Sequence, residues 1–257
     1  MMRRLFVFGL IGLTLGFAAP GDVAAKPSRA AATYKLLPHR PGETDVYVLS
    51  FGLWGPQSVF ESEAKGAAQV LEAQLDAKGR SIVRSNTKRR SDATPERLFH
   101  AAESVAGVLD PDEDIAVLVL TSHGAPEGIG LIAGRTAGIM PPKVVGELLD
   151  ATGARYRILI VSACYSGTFA NALADDRTLV MTAASADRPS FGCRDGAKWT
   201  YFGDAFFNKA LREEPRLDTA FETAKKLVTL RENREGFEPS NPQIAGGAAV
   251  LARLAAR

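Results

Sequence analysis

The run Ile158-Leu159-Ile160-Val161 passes into Ser162-Ala163-Cys164 and stops at Tyr165-Ser166-Gly167. A short, continuous apolar run rich in β-branched residues and closed by a turn signal reads as a strand buried on both faces, as in a parallel sheet. A second run of the same kind, Ile115 to Leu120, ends in Thr121-Ser122-His123-Gly124. Ligands of open α/β sheets gather in the crevice beyond the carboxyl ends of such strands. A thiol and an imidazole are therefore predicted at the tips of two core strands.

The rest of the chain alternates between strand and helix patterns. Further strands are predicted at 45–51, 81–85 and 178–184. Helical spacing runs over 58–78, from Thr94-Pro95-Glu96 to about Leu109, from Pro141-Pro142 to Leu149, and over 168–173, 203–211 and 220–231. Ser58 and Glu61 have the spacing of a capping box, and Pro95 stands in a first-turn position. Gly124 to Gly134 reads as a loop or small hairpin, and the chain beyond Pro239 is weakly patterned. This alternation predicts an α/β class with a mainly parallel sheet. At 257 residues the chain can form one large domain.

Before that domain, Met1-Met2-Arg3-Arg4 is basic, 5–19 is apolar, and Val23-Ala24-Ala25 ends in a small-x-small pattern. This is the form of a secretory signal over residues 1–25, cleaved before Lys26, and predicts a periplasmic or secreted protein. The apolar stretch is shorter than the roughly 20 residues of a spanning helix, so membrane attachment is expected only if it stays uncleaved. Residues 26–43, with Pro27, Pro38 and Pro41, read as a linker or loosely attached arm, and 44–257 as the domain. A net charge of +2 gives no reason to expect nucleic acid, and Lys88-Arg89-Arg90 reads as a solvated loop.

The chain holds three histidines and two cysteines. His39 lies in the arm and His100 inside a helix, which leaves His123 as the histidine at a strand tip. A thiol needs a neighbouring base to be nucleophilic near neutral pH. If the two strands are adjacent, His123 and Cys164 share one edge, with a right-handed crossover helix between them. Gly124 would let a substrate carbonyl approach the backbone, and its N–H with that of Cys164 could form an oxyanion hole. A buried Cys is more often a small hydrophobe and a lone His more often structural. On the residues alone, a catalytic pair and a structural one both stand.

Other motifs carry less. Gly128-Ile129-Gly130 lacks the helix that a dinucleotide site requires. Ser62-Glu63-Ala64-Lys65 matches a Ser-x-x-Lys pattern but reads as a solvated helix face. No zinc-ligand spacing is present, and neither a metal nor an organic cofactor is implied.

The two tips together, Thr121-Ser122-His123-Gly124 and Ser162-Ala163-Cys164-Tyr165-Ser166-Gly167, resemble the legumain-type cysteine peptidases of family C13, here in an exported bacterial form. That group includes the glycosylphosphatidylinositol transamidase catalytic subunit. The likeness spans roughly residues 45–245 and extends to a pocket loop at 182–193 and a Gly-Asp turn at Gly203-Asp204. It implies a caspase-like three-layer α/β/α sandwich, with Cys164 as nucleophile and His123 as base and proton donor. It also implies oxyanion N–H groups from Gly124 and Cys164, and a P1 pocket bordered by Asp204, Ser190, Ser162 and Gln57. Legumain carries a glutamate two residues before its nucleophile, where this chain has Ser162, and its pocket arginine is replaced near Gln57-Ser58. Strict asparaginyl specificity is therefore not implied. The pocket loop also brings Cys193 towards Cys164, either as a free thiol or as a disulfide partner.

Two function classes follow. One is a cysteine endopeptidase, or a transpeptidase working through the same Cys164 thioester, with peptides or proteins as substrates. The other is a non-catalytic exported protein that uses the caspase-like fold as a binding scaffold. Oligomeric state is not readable from the sequence.

Overall fold

The computed structural model describes residues 34–257; the leader-like segment 1–25 lies outside the described residues. A six-stranded sheet forms the centre, in the order β2-β1-β3-β7-β8-β9. Its members are β1 (Val46–Gly52), β2 (Ser81–Ser85), β3 (Ile115–Thr121), β7 (Tyr156–Ser162), β8 (Thr178–Thr182) and β9 (Gln243–Ala245). All pair in parallel except β9, which closes one edge antiparallel to β8.

Side-chain alternation along these strands makes two cores. Leu49, Phe51, Leu118, Leu120, Leu159 and Val161 face helices α2 (Pro95–Ala106), α3 (Pro142–Asp150) and α4 (Gly167–Leu173). Val46, Val48, Val117, Val119, Ile158 and Ile160 face α1 (Ser58–Gln74), α7 (Leu217–Glu235) and α8 (Ala248–Ala255). The central strands β1 and β3 are buried along their whole length, as a sheet covered on both faces requires. The result is a three-layer α/β/α sandwich.

Several local expectations change. The Ser58–Glu61 capping box does not form. Ser58 is the first helical residue and its hydroxyl binds Asp195, while Glu61 pairs with Lys65 and Arg90. The same helix stops at Gln74, before the predicted 78, because Asp76 adopts a left-handed conformation. The glycine-rich piece after His123 is a three-stranded antiparallel sheet of β4 (Gly124–Ala125), β5 (Gly128–Ala133) and β6 (Thr136–Met140). The helix predicted over 203–211 is broken into α5 (Tyr201–Gly203), a π-helical stretch Asp204–Ala210, and α6 (Leu211–Glu213). Among the described residues no helix is long and apolar enough to cross a membrane.

Candidate active site

The register of β3 against β7 places Thr121 opposite Ser162. His123 and Cys164 each lie two residues beyond that pair, on the same edge of the sheet. Ser122 N–H reaches Ser162 O at 3.2 Å, so the two chains are still joined just past the strand ends. Gly124 then presses against Cys164: a Cβ at Gly124 would overlap the Cys164 carbonyl oxygen, far inside van der Waals contact. Only glycine fits there.

The thiol is half-buried and held by the pocket loop. Ser190 N–H points to Cys164 Sγ at 3.2 Å, and the Ser190 carbonyl accepts from the thiol at 3.4 Å. Tyr165, next in the chain, sits at φ = 55°, a conformation unusual for a bulky residue. It turns the chain sharply from the strand tip into α4. At Gly167 a side chain would run into the backbone of Ser185 and Ala186, which accounts for the glycine closing the motif.

His123 is clasped by two aromatic rings meeting it edge to face, Trp54 at 4.9 Å and Phe60 at 5.1 Å. Burial lowers its pKa, which keeps the imidazole neutral at physiological pH. Its Nε2 pairs with Gln57 Oε1, and Gln57 Nε2 donates to Cys193 O at 2.8 Å. This pairing assigns the proton to Nε2 and leaves Nδ1 with the free lone pair.

Behind both tips stands a group that the sequence reading placed in solvent. Glu63, on α1, is fully buried. It accepts from Thr121 Oγ1 at 2.7 Å and Thr200 N–H at 2.7 Å, and its pKa is raised by burial against hydrogen bonds from Ser162, Thr121 and Thr200. Gly203 passes so close that any side chain there would meet Glu63 Oε2. The glycine of the Gly-Asp turn thus makes room for this carboxylate. A signal was present: Glu63 shares the apolar helical face of Phe60, Ala67 and Val70. Trp54, Phe60 and Thr200 likewise carry no motif in the sequence that marks them as part of the site.

The four residues predicted to border a P1 pocket part company. Ser190 lies on the thiol and Gln57 on the imidazole. Ser162 is buried and bonded to Thr200 Oγ1 at 3.1 Å, beneath the site and away from any open surface. Asp204 binds Asn208 and Lys209 at 2.9 and 2.8 Å and faces Arg231 at 3.7 Å. Burial works to raise its pKa, but these hydrogen bonds and cations outweigh it and hold the carboxyl low. None of those contacts is to Cys164 or His123. Both cysteines are free thiols. Cys193 is pushed up to about 12, by burial first and then by the charges of Cys164 and Glu63, so it stays protonated. Beside His123 opens a mostly apolar groove of about 440 Å³ lined by Trp54, Gly124, Ala125, Ile132 and Ile139.

A parallel core sheet with helices on both faces and a His-Gly and a Cys tip on adjacent strands defines the caspase-like fold class. Among solved structures the chain is similar to caspase-1 from Spodoptera frugiperda, at a TM-score of 0.52 and 16% identity, covering 87% of this chain and 94% of that one. At that identity the likeness is one of fold. The Peptidase C13 family profile matches residues 100–248, which include both tips, and the chain belongs to that family. A cysteine-peptidase type of function and protein substrates go with that membership. No curated protein matches the chain.

Proposed function

We propose that the protein is a cysteine endopeptidase, with Cys164 as nucleophile and His123 as general base and acid. One observation carries this reading: His123-Gly124 abuts Cys164 across the β3–β7 seam, with Ser190 N–H directed at the sulfur. In the first step the thiol proton passes to His123 Nδ1 and sulfur attacks the scissile carbonyl. The oxyanion is received by backbone N–H groups of Gly124 and Cys164. His123 then protonates the departing amine, leaving a thioester on Cys164. Water attack on the thioester releases the acid, and attack by an amine gives a transpeptidation product instead. Gln57 fixes the imidazole tautomer, the role of the orienting third group in triad chemistry.

Ser190 is the pocket residue best placed to meet a P1 side chain, since its hydroxyl lies 3.6 Å from Cys164 Sγ. The leader-like N-terminus supports action outside the cytoplasm. The test is a thiol-directed peptidyl probe applied to the purified protein. Labelling at Cys164 that is lost in His123→Ala supports the enzyme; equal labelling of wild type and His123→Ala returns the protein to the binding-scaffold reading.

A further inference from the structure

At the opposite end of the sheet, where β1 and β3 begin, a second cluster of titratable groups has no part in the proposed chemistry. One ring nitrogen of His39 and one carboxylate oxygen each from Asp110 and Glu113 lie within 4.8 Å of one another. The seven residues of β3 separate this cluster from His123, roughly 20 Å at the rise of a strand. We propose that His39, Asp110 and Glu113 form a binding site for a divalent first-row metal ion of the zinc type, which fastens the arm preceding β1 to the α2–β3 loop.

The arm and the two carboxylates are already held by backbone hydrogen bonds. His39 N–H binds Val108 O at 3.0 Å, and Gly42 N–H binds Glu113 Oε2 at 3.0 Å. Asp110 Oδ1 accepts from the N–H groups of Asp112 and Glu113 at 2.8 and 3.0 Å. Each carboxylate thus has one oxygen fixed by the chain and its other oxygen uncommitted. Of the neighbouring carboxylates, Asp112 is matched by Arg155 and Asp45 by Arg40 and Arg80, while Asp114 accepts from the N–H groups of Asp45 and Asp110. Among the described residues no ion pair reaches Asp110 or Glu113, and Arg253 donates to the Glu113 backbone carbonyl, not its carboxylate.

The histidine supplies an independent observation. His39 Nδ1 is shielded from solvent and has no hydrogen-bond partner, an arrangement that is costly for a ring nitrogen. No hydrogen bond or ion pair joins the ring to either carboxylate among the described residues. The charge of His39 acts on Asp114, but no direct bond from the ring satisfies Asp110 or Glu113, and a cation between the three would meet all of them. An imidazole with two carboxylates, completed by water, suits zinc or manganese, whereas calcium and magnesium favour oxygen ligands alone. His39 and Glu113 are far apart in sequence, which is why no ligand spacing announced the site.

The experiment uses the full chain with Cys164→Ala and Cys193→Ala, so that no thiol competes, stripped of metal by chelation. Equilibrium dialysis against zinc should give one ion per chain. At a hundredfold excess over the dissociation constant, the melting temperature should rise by roughly 5–10 °C. His39→Ala and Asp110→Asn should abolish binding and the shift. The Asn variant retains an oxygen for the Asp112 and Glu113 N–H groups, so its metal-free melting temperature should match the parent. Binding retained in His39→Ala, no bound zinc in the parent, or a shift given by calcium and not zinc would each overturn the proposal.

Discussion

Replacing Glu63 tests whether the two strand tips are braced from behind. In Glu63→Ala the hydroxyl of Thr121 and the N–H of Thr200 lose a shared acceptor while staying buried. Each unpartnered group costs about 1–3 kcal/mol, and the vacated volume adds to that, so a loss of roughly 3–5 kcal/mol is expected. In Glu63→Gln the amide oxygen still accepts from Thr200 and the amide nitrogen can donate to Thr121 Oγ1, so a loss of about 1 kcal/mol is expected. The two variants also differ from wild type in pH dependence. Burial raises the Glu63 pKa, so the folded protein holds this proton more tightly than the unfolded chain. The contribution is full below the ordinary carboxylate range and is lost as pH rises through the folded-state value. Wild type should therefore lose stability relative to Glu63→Gln as pH rises from the ordinary carboxylate range through the higher folded-state value. Urea unfolding midpoints of the three proteins across that range make the comparison. An alanine variant within 1 kcal/mol of wild type, or a wild type and Gln variant with parallel pH profiles, would refute the brace.

Three shorter predictions concern the tips themselves. Gly124→Ala drives a methyl into the Cys164 carbonyl, so peptide turnover should fall roughly 100-fold with stability down by about 1–3 kcal/mol; near-normal turnover would show that the seam tolerates a shift. The acid limb of kcat/KM should fall below the ordinary histidine value of about 6.5, since burial lowers the His123 pKa and the neutral base persists to lower pH; a limb above that value would contradict it. At pH 8 a disulfide reagent should titrate one thiol per folded chain quickly, Cys164, and the second only on unfolding. Cys193→Ser should then keep full activity; a fast second thiol, or activity gained on adding reductant, would mean that Cys193 pairs with Cys164.

The parts of this architecture written in local pattern were legible from the chain. The apolar runs of β3 and β7 carry their burial on both faces, and their Gly-bounded ends located His123 and Cys164 on one edge. What escaped depends on neighbours distant in sequence. A glutamate on an amphipathic helix looks solvated until Thr121, Thr200 and Gly203 close around it. The Ser58–Glu61 box had correct spacing, but Asp195, brought in by the pocket loop, captures the Ser58 hydroxyl. Likewise Asp204 carried an acidic residue's promise for a P1 pocket, while Lys209, one turn on, and Arg231 on α7 take up its charge. Strand β9 is three residues long and antiparallel, too short for period-two alternation to stand out.

The most direct measurement is hydrolysis of a fluorogenic peptide mixture, selected on the wild-type protein, by wild type and Cys164→Ala matched for circular dichroism and melting temperature. If sulfur attacks the scissile carbonyl, cleavage should fall by several orders of magnitude in the alanine protein with its fold unchanged. Equal cleavage by the two proteins would place the chemistry somewhere other than the meeting of these two strand ends.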